Sequence, residues 1–190
     1  MPSRRDGAIP SRMSTAEAAP PFRFTRESRI RIDAEGHVWH EGERVAHPRL
    51  ERALASWVDF DDEARRYVLR NAIDWCFITV DLAPLAVRHA WVRGDGVEVE
   101  CSDDAREALR VDTVHVRPDG EVFAYVRGGT LLARFDRSAA FALLEHAELT
   151  ADGAPALRLD GGLVPLRILS ADARLPPRPG GPAALAAPST

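Results

Sequence analysis

Six histidines, two cysteines and 29 carboxylates are the side chains here that could hold a metal or move a proton. The tightest histidine group is His37, His40 and Glu41, with His47 close behind. In a strand, His37 and His40 point to opposite faces, so they cannot share an ion without a bulge. They read as exposed or hairpin-packed histidines, and no metal is expected. His89, His115 and His146 stand alone in the sequence. The run Asp59, Asp61, Asp62 and Glu63 lacks the glycine that turns a calcium loop, and reads as a solvated loop. Gly128-Gly129-Thr130 has the composition of a phosphate nest, but no lysine follows it, and it reads as a bend or bulge between strands.

All 25 basic residues are arginine. Without lysine there can be no Schiff base, no P-loop lysine and no kinase-type lysine. No Ser, Cys or His sits in a nucleophile-elbow arrangement, so no motif identifies an enzyme and no cofactor is implied. Cys76 and Cys101 alternate with apolar residues in strand-like runs and read as two buried thiols.

Two stretches carry polar residues that interrupt apolar runs. Asn71-Ala72-Ile73-Asp74-Trp75 places the chain's one carboxamide, an acid and an indole at a strand entry. This is either an Asx-type turn with Trp75 packed in the core, or a polar notch over an aromatic floor, as small-ligand sites often have. Arg127 and Arg134 interrupt the second run. Polar groups buried unpaired cost stability, so these residues should either pair, an arginine with Asp74, or face a ligand. Asn71, Asp74, Trp75, Arg127 and Arg134 are therefore the candidate ligand-binding residues.

The elements that must position them follow from periodicity. Ile30 and Ile32 lead through Asp33-Ala34-Glu35-Gly36 to Val38, a hairpin whose glycine can take positive φ. Pro48 opens a helix that buries Leu50, Ala53, Leu54, Trp57 and Val58 as one stripe. Tyr67–Leu69 and Trp75–Val80 read as strands, and Leu85–Arg93 pairs with Val97–Cys101 across Gly94-Asp95-Gly96. Val114 and Val116 then lead through Arg117-Pro118-Asp119-Gly120 to Val122. A shift of 84 places Ile30 on Val114, Ile32 on Val116, Gly36 on Gly120 and Val38 on Val122. A second helix follows, capped by Asp136 or Ser138 and carrying Ala140, Phe141, Leu144 and Ala147. A last hairpin turns at Asp160-Gly161-Gly162. The expected fold class is α+β: two similar hairpin–helix–strand motifs packed together, with mostly antiparallel sheets. The first repeat covers 22–105 and the second 106–170. Residues 1–21, rich in Ser, Ala, Pro and Arg, read as a disordered leader. Residues 171–190 read as a disordered Pro/Ala/Gly tail.

Charge and hydropathy narrow the partners. The chain carries a formal charge of −4, and residues 22–170 carry 20 arginines against 26 acids. An acidic core argues against nucleic acid, which requires a clustered positive footprint. No run approaches the roughly 18 apolar residues of a membrane span, and Arg4 and Arg5 precede no apolar signal segment. Cytoplasmic placement is expected.

Three segments together resemble the bacterial domain-of-unknown-function family 1285. They are IRIDAEGHVWHEG at 30–42, YVLRNAIDWCFITVDLAPLAV at 67–87 and YVRGGTLLAR at 125–134, followed by Leu159-Asp160-Gly161-Gly162 before Pro165-Leu166. The resemblance covers roughly residues 28–168. It implies an α+β fold of two repeated motifs, with no established activity and a considered role in ligand sensing or signalling. Where the family pattern has Thr-Pro then Glu-Lys, this chain has Asn71-Ala72 then Asp74-Trp75; for Asp-Ala-Pro it has Leu82-Ala83-Pro84. The function expected is a non-enzymatic module that binds a small ligand or partner protein. A hydrolase or transferase assembled only in the fold, and a structural scaffold, are the alternatives.

Overall fold

Short alternating runs bounded by glycine and proline make this a sheet protein with two brief helices. The computed structural model describes residues 26–170 and residue 173. The expected leader and tail lie outside the described residues, Ala173 apart.

The first sheet holds β1 (Glu27–Ile32), β2 (Val38–His40), β3 (Glu43–Arg44), β4 (Val58–Asp61), β5 (Arg66–Arg70) and β6 (Trp75–Val80), in the order β3-β2-β1-β6-β5-β4. β1 and β2 form the expected hairpin, with Ile32 opposite Val38 and Gly36 at φ +84°. On its other side β1 runs parallel to β6, with Ile32 opposite Val80. Helix α1 (Pro48–Ser56) is shorter than its periodicity predicts. His47 caps it, accepting from the Leu50 amide at 3.4 Å, and Val58 already belongs to β4. Leu54 and Trp57 pack against the core as expected, but Leu50 is 46% exposed and Ala55 takes the buried position, so the predicted stripe is corrected there. The physical reason is local: Val58-Asp59-Phe60-Asp61 alternates with period two and pairs with β5. Asp59 and Asp61, expected in a loop, stand on that strand and hold Arg70 at 3.2 and 3.3 Å.

The second sheet runs β16-β10-β11-β12-β7-β8-β9. It comprises β7 (Leu85–Arg93), β8 (Gly96–Cys101), β9 (Arg106–Ala108), β10 (His115–Val116), β11 (Val122–Val126), β12 (Leu131–Phe135) and β16 (Arg167–Ile168). β10 and β11 form the second expected hairpin, with Val116 opposite Val122 and Gly120 at φ +87°. β10 runs parallel to β16 on its other side, with Val116 opposite Ile168. A small antiparallel sheet joins β13 (Ala147–Leu149), β14 (Pro155–Leu159) and β15 (Gly162–Pro165). Helix α2 (Arg137–Leu144) buries Ala139, Ala140 and Leu143 against β7 and β12. Phe141, expected inside, is 69% exposed, and Ala147 lies in β13 rather than on the helix.

One continuous core runs through both large sheets, from Ile32, Val38 and Ile78 to Val87, Val99, Ala133, Phe135 and Leu143. Each large apolar side chain buried there contributes roughly 1.5–3 kcal/mol. Cys101 is fully buried within it, whereas Cys76 is only half-buried. Among the described residues, no helix is long and apolar enough to cross a membrane.

Candidate functional site

The site begins with a carboxylate that builds a turn. Asp33 is 8% exposed, and its two side-chain oxygens receive the Glu35 and His37 amides at 3.1 and 2.8 Å and the Trp39 indole at 2.7 Å. Burial pushes this carboxyl up, but those donors outweigh it and hold the pKa below its ordinary value. The rigid turn presents Glu35, Gly36 and His37. It sits so close to β7 that a Cβ on Gly36 would lie 3.2 Å from that of Ala86.

β7 supplies the floor. It lies parallel to β12, with Ala86 beside Arg134, and its register against β8 shifts between Val87 and His89. Such a bulge interrupts the alternation of faces, and here two consecutive residues, Arg88 and His89, are exposed. His89 stacks on Trp91 at 5.7 Å.

The third wall is the junction of β12 and α2. The Asp136 amide donates to the Val87 carbonyl at 2.9 Å, fastening the helix start to β7. Asp136 holds the N-cap position, yet its carboxylate makes no capping hydrogen bond. Arg137 and Ser138 follow. Arg134 bridges two turns, donating to the Ala34 carbonyl at 2.9 Å and meeting Glu121 at 3.1 Å.

These walls line an open cavity of about 540 Å³. A neighbouring cavity of about 410 Å³ shares Arg88, His89 and Ser138 and continues past Trp91 to Ala142 and His146. A third, of about 290 Å³, shares Arg134 and Arg137 and reaches the exposed Phe141. Among the described residues no group of three or more His, Cys, Asp or Glu is placed to hold a metal.

Of the five residues predicted from sequence, Arg134 lines the 540 Å³ cavity and the other four do not. Asn71 makes an Asx turn between β5 and β6, its side-chain oxygen accepting from the Ile73 and Asp74 amides at 2.8 and 2.9 Å. Asp74 receives the Trp75 amide and pairs with Arg26, and these interactions lower its pKa. Arg26 also lies over the Trp75 ring at 4.5 Å. The arginine expected beside Asp74 is thus Arg26, from the approach to β1, and neither Arg127 nor Arg134. Arg127 sits at φ +56° in the β11–β12 turn and pairs with Asp103, whose side chain is 3% exposed. Its amide donates to Glu107 at 2.8 Å.

Sequence reasoning missed Arg88, His89, Asp136, Arg137 and Ser138. The available signal was Arg88-His89, a polar doublet between the apolar runs 85–87 and 90–92 of one strand, which alternation alone does not allow.

No family model and no curated protein matches the chain. Two solved structures resemble its fold. One is a DUF1285 family protein from Silicibacter pomeroyi DSS-3, with TM-score 0.61 and 22% identity over 74% of this chain and 80% of that one. The other is a DUF1285 family protein from Shewanella baltica OS155, with TM-score 0.52 and 16% identity over 64% of this chain and 94% of that one. The family that the three sequence segments resemble is the family of both structural neighbours.

Proposed function

We propose that this chain is a divergent DUF1285 protein, a duplicated α+β module that binds a small ligand in the cavity where its two halves meet and acts in regulation. The matching connections support the duplication. β1-β2-β3-α1-β4-β5-β6 and β10-β11-β12-α2-β13-β14-β15/16 follow one another in the same order, and each hairpin's first strand has a late parallel partner. Within the halves 22–105 and 106–170, the copies would span 27–80 and 115–168, with β7–β9 joining them. The cavity lies between the hairpin turn of the first copy and the β12–α2 junction of the second.

The observation that carries the binding reading is unspent charge. Arg26, Arg31, Arg66, Arg106, Arg127 and Arg158 each hold a carboxylate. Arg88 and Arg137 line the cavity with no carboxylate partner among the described residues. A thermal-shift screen of metabolites against the full chain tests this. A ligand at 100 times its Kd adds about 2.7 kcal/mol, or roughly 5–10 °C for a chain of this size. The shift should vanish in Arg88→Ala; a hit that survives it places the ligand elsewhere, and a screen without hits defeats the reading.

A hydrolase reading has one supporting observation. His37 lines the cavity with its Nδ1 3.4 Å from Asp33 Oδ2, the orientation a carboxylate imposes on a general base. Ester or phosphoester turnover abolished by His37→Ala would favour it over simple binding.

A further inference from the structure

The cavity carries free charge of both signs, and this restricts what it can hold. Arg88 and Arg137 have no ion-pair partner among the described residues. Arg134 contributes little charge, because Glu121 already balances it and one of its amino groups donates to the Ala34 carbonyl. Asp136 lines the same cavity with a carboxylate that neither caps α2 nor joins an ion pair among the described residues. Glu35 is the second acid; it supports Arg31 through space, well behind Asp81, but forms no ion pair with any described residue. Beside the paired Arg134, two cations and two anions that form no ion pair among the described residues thus share one cavity.

We propose that the ligand is a zwitterion of the free α-amino-acid class, a reading that rests on the cavity being a ligand site. A simple anion such as phosphate would be drawn to the arginines and repelled by Asp136 and Glu35 at once; a polyamine would meet the reverse conflict. A molecule with a carboxylate and an ammonium on the same carbon satisfies both. The guanidiniums of Arg88 and Arg137 take the carboxylate, for which their planar fork is suited, and Asp136 with Glu35 takes the ammonium. The adjoining 410 Å³ cavity opens from the same Arg88-His89 edge, and its lining is mixed: Trp91, Val92 and Ala142 beside Arg93, Glu145 and His146. The side chain of the amino acid has room there.

The test is isothermal titration of the full chain with free L-amino acids, their N-acetyl and amide derivatives, acetate and inorganic phosphate. A free amino acid should bind, and blocking either charged end should weaken it by about tenfold or more, the worth of a charge-assisted hydrogen bond. Arg137→Ala and Asp136→Asn should each cause a similar loss while leaving the unliganded melting temperature unchanged, because both side chains are exposed. The decisive variant is Asp136→Asn. If phosphate or acetate binds the native chain and binds this variant more tightly, the site takes a plain anion and the zwitterion proposal falls while the binding reading stands. If no amino acid and no anion binds, and the metabolite screen also finds nothing, both fall. Amino-acid binding unaffected by Asp136→Asn and Arg137→Ala also overturns the assignment.

Discussion

Gly36 and Gly120 occupy corresponding turns but have different surroundings, and alanine at each should separate backbone strain from packing. Their φ angles are nearly equal, +84° and +87°, a region that costs an L-residue about 1–2 kcal/mol. Alanine also narrows the unfolded ensemble, which returns part of that cost, so Gly120→Ala should lose about 1 kcal/mol. Nothing lies within 4 Å of the Cβ that this substitution adds. At Gly36 the new Cβ would stand 3.2 Å from that of Ala86, tighter than ordinary contact. The turn cannot simply withdraw, because Asp33 binds it from within and Arg134 holds the Ala34 carbonyl from across the cavity. Overpacking of this kind adds roughly 1–2 kcal/mol, so Gly36→Ala should lose about 2–3 kcal/mol in all. Urea unfolding of both variants measures the difference directly, and thermal melts should show roughly 2–4 °C per kcal/mol. Ala86→Gly in the Gly36→Ala background should recover the packing part, with a coupling energy of about 1 kcal/mol. Equal losses at the two glycines, or no coupling with Ala86, would refute the claim that this turn is seated on β7.

Three further outcomes are expected. Arg127→Ala leaves the nearly buried Asp103 without its cation and should cost about 3 kcal/mol in denaturant unfolding; a loss under roughly 0.5 kcal/mol would show that Asp103 does not depend on it. A disulfide reagent at pH 8 should modify Cys76 in the folded chain and Cys101 only after unfolding. Burial, then Glu107 and Asp103, pushes the Cys101 thiol to about 12, and equal labelling rates would contradict that environment. His115 is 3% exposed, with Nδ1 2.7 Å from the Thr113 carbonyl and Nε2 buried without a partner. Burial lowers its pKa in the fold below 6.5, so its contribution is complete above that value and is lost as pH falls through the folded pKa. Replacement by Phe should flatten part of the stability loss between pH 7.5 and 5.5, and an unchanged pH profile would count against a buried neutral imidazole.

Both hairpins were legible because each is a local device: an apolar pair, an Asp- or Pro-containing turn and a glycine at positive φ lie within nine residues. The strand at Val58–Asp61 was hidden because its acids suggest solvent, while the stabilising partner, Arg70, lies across the β4–β5 pairing. The end of α1 was misplaced for the same reason, since Val58 satisfies helical spacing and strand alternation equally well. In the site, Arg134 was found because it interrupts an apolar run. The Arg88-His89 doublet marks a break in alternation, but that both side chains are exposed depends on a register shift between β7 and β8, which the doublet alone does not locate. Asp74 and Arg127 were sound choices as buried-run interruptions, but each found its counter-charge in its own neighbourhood, Arg26 and Asp103.

The placement of the cavity follows from a strand that the proposed duplication does not supply. In the second unit β12 is flanked by β7, and the helix that follows packs on both. The corresponding strand of the first unit, β3, is the edge of its sheet and has no such neighbour. Its helix starts differently as well: His47 accepts a hydrogen bond from the first turn, whereas Asp136 leaves its carboxylate uncommitted. The β7–β8 hairpin therefore breaks the equivalence that the proposed duplication would give the two units. It adds the bulged pair Arg88-His89 beside one helix start and gives the Gly36 turn of the other unit a surface to rest on. On this argument one site forms per chain, at the second helix, and saturation titration with any ligand of the cavity should give a stoichiometry of about one. Two equal sites would mean that binding belongs to the repeated unit itself and not to the strand between the copies.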